Sequence, residues 1–439
     1  MKPDETHSVP GEGGSLKVLF LPTWYPDDDD PVIGVFTREH ARAAAHYDEV
    51  RVLHVLANRS GDCTGSVSDT LENGIPVRRV RYPTRPRASK ALSATGSISG
   101  ALSNSPTGWY RTLAKMIAAL DTTLRGGRFL AYCMRTVIEV RKIAREGWRP
   151  DVIHAHVYGA GFPAVLVGRA MSIPVVVSEH YSDLIRGRLN RFELFQARTV
   201  ASRADHPLPV SEPLADRLRR LGATRVTVVP NVIDPHEMPP ATHRSGTEAA
   251  EVIAITSSSQ NKSLDILVEA TELLANRRRD FRLTVIGATV DDLAELAPRA
   301  ASLEQQGLVR FLGRLPKREV LDLLARSDFL VHPTLFETFG IVPFEAILCG
   351  KPVVTTDIEA FAAIGRAGAG ILVAPGDASA FAGAMMRMLD EYGDYDVSKF
   401  AAETAARCSY EAVGRLFDSI YREVCRGQST APGRVLKPS

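Results

Sequence analysis

Short apolar runs alternate with longer amphipathic stretches along almost the whole chain. Residues 16–22 (LKVLFLP) form a continuous apolar run of the kind that fills a buried parallel strand. A helical stretch follows at 35–46 and a second apolar run at 50–56 (VRVLHVL). Further strands are expected at 151–155, 174–178, 206–210 and 226–229. After Pro230 the pattern restarts, with strands expected at 251–256, 282–287, 309–312, 329–332, 352–355 and 370–373. Helices are expected at 263–276, 290–304, 317–326, 341–349 and 378–390. Strands that alternate with helices imply right-handed βαβ units, hence an α/β fold with two doubly wound parallel sheets.

The punctuation between these runs suggests domains. Residues 1–15 read as a disordered leader and 426–439 as a disordered tail. An N-terminal unit spans 16–236, a Pro-rich polar linker 237–247, and a second unit 248–408, with a last helix at 409–425 expected to pack back on the first. Residues 83–108 are rich in Pro, Ser and Gly and read as a loop. Beyond it Trp109, Leu113, Met116, Ile117 and Leu120 share one helical face. That helix either packs on its own domain or faces a membrane.

Composition narrows the function classes. With 45% hydrophobic and 24% charged residues in 439, the chain is an ordinary globular one, not disordered or collagenous as a whole. Its net charge of +2 argues against bulk nucleic-acid binding. That total is a cancellation, because residues 75–145 hold 14 Lys or Arg against Asp121 and Glu139 alone. A solvated basic face and contact with anionic lipid or a phosphate-bearing acceptor both remain open there. The five cysteines, Cys63, Cys133, Cys349, Cys408 and Cys425, include no C-x-x-C pair. They argue against a disulfide framework or a zinc site and fit a reducing compartment. The expectation is a cytoplasmic protein, with peripheral attachment at the inner face of a membrane as an alternative.

The most informative segment is 329–357, FLVHPTLFETFGIVPFEAILCGKPVVTTD. A strand ends near His332, and a helix starts around Gly340 with Pro343 in its first turn. The amides of Gly340, Ile341 and Val342 then form a phosphate site at a strand's carboxyl end. Glu337 precedes this helix and Glu345 lies within it, so the two cannot be a helical i, i+4 pair. They suit a ligand with hydroxyls at both ends, a sugar and a ribose; a helix cap at Glu337 and a solvated Glu345 is the alternative. Lys262 begins a helix after a strand and either meets a diphosphate or is solvated. Gly313 and Arg314 form a strand-to-helix turn. His180 follows a strand end and either faces a cleft or is a core or capping residue.

These pieces, in order, resemble glycosyltransferase family 4, retaining enzymes of GT-B fold with two Rossmann-like domains facing a central cleft. The family's E-x7-E pattern stands as Glu337 to Glu345, accompanied by VVPNVID at 228–234, K-x-x-D-x-L at 262–267, FLGRLP at 311–316 and SDFLVHPT at 327–334. LFLPTWYP, PVIGVF, DVIHAHVYG and VVVSEHYSDL follow the family layout in the N-terminal half. The resemblance implies that Glu337 contacts the donor sugar and Glu345 the nucleotide ribose. It implies further that the amides of Phe339, Gly340 and Ile341 hold the diphosphate and sugar, and that Lys262 neutralises the leaving phosphate. Arg314 would face the base, Gly34 would approach the diphosphate, and His156 would lie near the reaction centre while His154 supports the strand. Tyr158 and His180 join His156 as candidate acceptor residues. The family's usual Arg five positions before the lysine is replaced by Ser257. The implied activity is hexosyl transfer from a UDP- or GDP-sugar to a hydroxyl acceptor, in polysaccharide, glycolipid or secondary-metabolite synthesis. No cofactor or metal is expected for it, and DDDD at 27–30 reads as an exposed turn. A nucleotide-sugar 2-epimerase and a non-catalytic partner subunit of the same fold are the alternatives.

Overall fold

The run LKVLFLP yields β1 (Lys17–Pro22), buried on both faces at the centre of a seven-stranded sheet. The computed structural model describes residues 14–57, 65–82, 124–240, 242, 249–256 and 263–429. Around β1 the first sheet runs β3-β4-β2-β1-β5-β6-β7, from β2 (Glu49–Ala57), β3 (Ser66–Glu72), β4 (Ile75–Tyr82), β5 (Val152–His156), β6 (Val175–Glu179) and β7 (His206–Pro209). The second sheet runs β10-β9-β8-β11-β12-β13. Its strands are β8 (Ala250–Ile255), β9 (Phe281–Ile286), β10 (Val309–Phe311), β11 (Phe329–His332), β12 (Val353–Thr356) and β13 (Gly370–Val373). Every pairing is parallel except that of β3 with β4. This is the two-domain α/β architecture expected of the GT-B fold. Strand order reverses between β1 and β5 and again between β8 and β11, and ligand crevices open beyond the carboxyl ends of such strands.

The helices that matter below are α1 (Val35–Ala45), α2 (Leu124–Arg145), α3 (Val157–Met171), α4 (Leu264–Ala275), α5 (Lys317–Arg326), α6 (Ile341–Leu348), α7 (Ala378–Glu391), α8 (Ser398–Cys408) and α9 (Tyr410–Ser429). Helix α9 leaves the second unit and packs on α1 of the first. Its Gly414 lies so close that an added Cβ would stand 2.2 Å from the Ala43 carbonyl oxygen. Phe417 and Tyr421 enter the first domain's core, where the Tyr421 hydroxyl meets His154 Nδ1 at 2.6 Å. His154 Nε2 bonds Ser178 Oγ at 2.8 Å, so this histidine joins β5, β6 and α9. Glu39 of α1 bonds the Tyr410 hydroxyl at the start of α9.

Four elements differ from the sequence reading, and one is α9 itself, which continues to Ser429 into the tail expected from residue 426. The β3–β4 hairpin was not expected, although Asn73-Gly74 is a two-residue turn signal. Both turn residues take positive φ, 50° and 79°. Residues 226–229 do not form the expected strand. Thr227 and Val229 donate to the carbonyls of Pro207 and Pro209 at 3.4 and 3.0 Å. Those prolines have no N–H to return, so the ladder is one-sided and β7 remains the edge. The helix expected at 290–304 breaks into Val290–Leu293 and Ala297–Gln305, with Pro298 in the first turn of the second piece. The amphipathic segment 109–120, the leader up to residue 13, Cys63, and residues 257–262 lie outside the described residues.

Asp48 carries a pH dependence. Its Oδ1 accepts from Leu16 N at 3.0 Å, while burial first, and Asp418 and Asp151 nearby, push its carboxyl from 3.8 up to about 6. The folded protein thus holds this proton more tightly than the unfolded chain, and the group's contribution falls as pH rises from 3.8 through about 6. Asp48→Asn keeps the acceptor and removes the charge. The variant is expected to melt higher at pH 7.5, by roughly 2–4 °C for each kcal/mol regained, and to show no gain at pH 3.5. An equal gain at both pH values in thermal denaturation contradicts this account.

Candidate active site

Strand β11 delivers its last residue, His332, to the cleft side of the second sheet. The chain then loops to Gly340, which starts α6 at φ 74°, ψ 78°. The Phe361 ring occupies the space beside it: an added Cβ would stand 2.4 Å from that ring. Only glycine fits this backbone and this contact. Helix α6 has no side-chain cap, and among the described residues the N–H groups of Phe339, Gly340 and Ile341 take no protein acceptor. Those amides, with the positive end of the helix dipole, make a candidate anion site. The loop before them is tied down where Thr334 N donates to Thr356 Oγ1 at 3.0 Å and Thr355 Oγ1 to the His332 carbonyl at 2.9 Å.

Glu337 and Glu345 flank this helix start. Glu337 Oε1 lies 3.9 Å from His332 Nε2. Glu345 is 8% exposed, with Oε1 3.9 Å from the Lys317 ammonium of α5. Glu345 is therefore buried, where the alternative open at the sequence level had it solvated. Lys317 also bonds Glu237 at 2.7 Å, and Glu237 lies 3.7 Å from Arg42 of α1. This chain of charges runs from the first domain to Glu345. Phe339 packs against the cores of both domains, and the Arg186 guanidinium covers the Phe336 ring at 4.8 Å.

The facing wall comes from the carboxyl ends of β1, β5 and β6. Gly34, φ 72°, precedes α1, and a Cβ there would stand 2.3 Å from the Trp24 carbonyl oxygen. His156 ends β5, and the next residue, Val157, takes φ 69°. A β-branched residue in the left-handed region is strained and persists only where its surroundings hold it. Thr23 does so: its N and Oγ1 both donate to the His156 carbonyl, at 3.2 and 2.9 Å, and its Oγ1 accepts from Ala160 N at 3.0 Å. Glu179 holds the other side, accepting from the N–H groups of Tyr158, His180 and Tyr181 at 2.9–3.0 Å. Burial pushes its carboxyl up to about 7.

The structure brings Glu337, Phe339, Gly340, Ile341 and Glu345 together. Arg314 is exposed on the turn after β10, where Gly287 N donates to the Gly313 carbonyl at 2.6 Å. Ser257 and Lys262 lie outside the described residues. His156 is fully buried at the end of β5, while Tyr158 at 7% and His180 at 8% retain slight exposure. Asp27 to Asp30 form a turn, but Asp27 and Asp29 are engaged by Arg81 at 3.3 and 3.0 Å. Arg78 and Arg79 pair with Asp69, Glu146 and Glu72, and Arg135 with Glu139. Much of the described part of the basic segment is thus neutralised. Sequence reasoning missed His332, Lys317 and Phe361. Of these, only His332 carried a signal, its place at a strand's carboxyl end.

Two family models match: one described as Glycosyltransferase Family 4 over residues 120–237, the other as Glycosyl transferases group 1 over 250–391. The chain is 28% identical over 297 residues to a glycogen synthase of Mycobacterium tuberculosis, covering 65% of this chain and 70% of that protein. It is 25% identical over 389 residues to a D-inositol 3-phosphate glycosyltransferase of Corynebacterium jeikeium, covering 82% and 90%. Among solved structures it resembles Anabaena HepE, crystallised with UDP and glucose, with a TM-score of 0.65 and 19% identity over 93% of this chain and all of that one.

Gly340→Ala tests the anion cradle. The strained φ and the Phe361 contact should cost about 1–3 kcal/mol, read as a lower unfolding midpoint. An unchanged midpoint refutes the tight contact.

Proposed function

The chain belongs to the family 4 glycosyltransferases, with the GT-B fold, and from that premise we propose that it transfers a hexosyl group from a UDP- or GDP-hexose to a hydroxyl acceptor with retention at the anomeric carbon. It is an enzyme that uses a nucleotide-sugar donor. The observation that carries the finer reading is the α6 start, whose unpartnered amides stand between two carboxylates on a wall that faces a second domain.

In this reading the diphosphate lies on the amides of Phe339, Gly340 and Ile341. Glu337 holds the sugar hydroxyls and Glu345 the ribose hydroxyls, with Lys317 keeping Glu345 in place. Lys262 meets the leaving phosphate, the Gly313–Arg314 turn faces the base, and Gly34 lets the first domain approach the diphosphate. The bond from the anomeric carbon to the phosphate oxygen breaks, and the diphosphate leaves with the electron pair. The acceptor oxygen bonds the same face of the carbon, and its proton passes to the departing phosphate oxygen. Amide dipoles and the lysine stabilise the charge that develops on the diphosphate. Cleft closure excludes water, which would otherwise hydrolyse the donor. No metal or cofactor is assigned to this step. The acceptor lies against Tyr158 and His180. The names of the relatives, a glycogen synthase and an inositol-phosphate glycosyltransferase, support a polyhydroxylated acceptor. Cell-envelope polysaccharide, glycolipid and secondary-metabolite glycosides are the product classes that fit. No described helix is long and apolar enough to cross a membrane.

The purified protein, given a panel of UDP- and GDP-hexoses with sugar and inositol acceptors, should form a product with the donor's anomeric configuration, read by NMR. Lys262→Ala should lower kcat on the order of 10²-fold, as removal of one charge-stabilising donor does. An inverted product, or unchanged kcat in the variant, contradicts the proposal.

A further inference from the structure

Three histidines meet in the first domain on three separate elements: His40 on α1, His156 at the end of β5 and His180 just after β6. Their exposures are 0%, 0% and 8%. One ring nitrogen from each lies within 4.8 Å of those of the other two. Among the described residues no other group of three or more His, Cys, Asp or Glu side chains gathers this tightly.

The hydrogen bonds leave this cluster incomplete. His40 Nε2 donates to the Pro230 carbonyl at 3.1 Å, which fixes Nδ1 as the nitrogen with a lone pair. That Nδ1 is buried and has no hydrogen-bond partner. His156 Nδ1 and His180 Nε2 stand 3.2 Å apart, within hydrogen-bond distance of each other. The buried lone pair of His40 Nδ1 is the one that calls for a proton, a water or an ion. Two imidazole nitrogens bound tetrahedrally to one Zn²⁺ at about 2.0–2.1 Å each stand roughly 3.3 Å apart, close to the separation seen here. The carbonyl bond on the far side of His40 is the kind of partner that orients a ligating imidazole. The Glu39 carboxylate, next to His40 on α1, supplies negative charge nearby.

We propose that His40, His156 and His180 form a three-histidine site for a borderline divalent cation such as Zn²⁺, with a fourth position left to water or a ligand on the His180 side. Imidazole nitrogens suit Zn²⁺ and its neighbours in the first transition row, not Mg²⁺ or Ca²⁺. All three ligands belong to the first domain, so the ion is separate from the diphosphate cradle on the second. It ties α1 to the ends of β5 and β6, on the wall that carries Tyr158.

The test needs neither donor nor acceptor, so its outcome is independent of the glycosyl-transfer reading. The full-length protein is stripped with a chelator, equilibrated with Zn²⁺ or Co²⁺ and desalted, and its metal content is measured. The expected content is about one ion per chain, with the intense visible bands of tetrahedral Co²⁺ and nitrogen-only imidazole scattering in X-ray absorption. His40→Gln combined with His180→Gln should abolish retention. The wild type should melt higher with Zn²⁺ than without it, because a ligand that binds only the folded state stabilises it. Metal content near zero in the wild type, equal content in the double variant, or a scattering shell containing sulfur overturns the site. If the double variant does not fold, the wild-type content and absorption spectrum decide alone.

Discussion

The Phe361 ring stands where a side chain at position 340 would go. That contact forces a glycine, and the glycine's left-handed backbone lets the chain turn sharply out of the loop after β11 into α6. The turn leaves three amides pointing at the cleft and sets Glu337 before the helix and Glu345 inside it. Neither carboxylate would be placed without the turn, since eight residues of uninterrupted helix would carry them along one rod. The hydrogen bonds of Thr334 and Thr355 to β12 and β11 fix the loop from behind. The proposed donor site is therefore built from backbone geometry first and side chains second, and it shares with other phosphate sites the use of a helix N-terminus.

The first domain uses the same devices with different residues. Gly34 makes a left-handed entry to α1 because the Trp24 carbonyl leaves no room for a β-carbon. Val157 accepts strain at the end of β5, held by Thr23 and Glu179. Helix α9 locks this domain to the end of the chain through Tyr421 and His154, and Glu39 with Tyr410 secures its start. The two walls also meet directly, through Phe339 and the Arg186–Phe336 contact. The charge chain Arg42, Glu237, Lys317, Glu345 connects α1 to a carboxylate of the proposed donor site. A movement of one domain against the other must alter that chain, so cleft opening and the setting of Glu345 are physically linked.

Much of this was legible in the residues. The apolar runs located eleven of the thirteen strands among the described residues, because a parallel sheet buried on both faces leaves an uninterrupted apolar imprint. Strands β3 and β4 were missed because β3 is exposed and polar, and the Asn73-Gly74 signal went unused. The run 226–229 looked like a strand, yet Pro207 and Pro209 on its neighbour could not complete a ladder. The segment 329–357 showed the helix start after a strand end from a glycine and a proline. Its depth was not legible, since the burial of Glu345 and the contact of Phe361 with Gly340 depend on neighbours distant in sequence. The same holds for the histidines. H-x-H and S-E-H each looked like a strand end, and only folding brings His40 across from α1 to meet them.

The central claim is that Glu337 and Glu345 grip opposite ends of one nucleotide sugar. Calorimetric titration with the bare nucleoside diphosphate and with the matching nucleotide sugar, against the wild type, Glu337→Gln and Glu345→Gln, tests it most directly. Glu345→Gln should weaken both ligands by a similar factor. Glu337→Gln should weaken the nucleotide sugar and leave the bare diphosphate unchanged. Equal weakening of the bare diphosphate by Glu337→Gln, or no effect of Glu345→Gln on either ligand, would contradict the assignment.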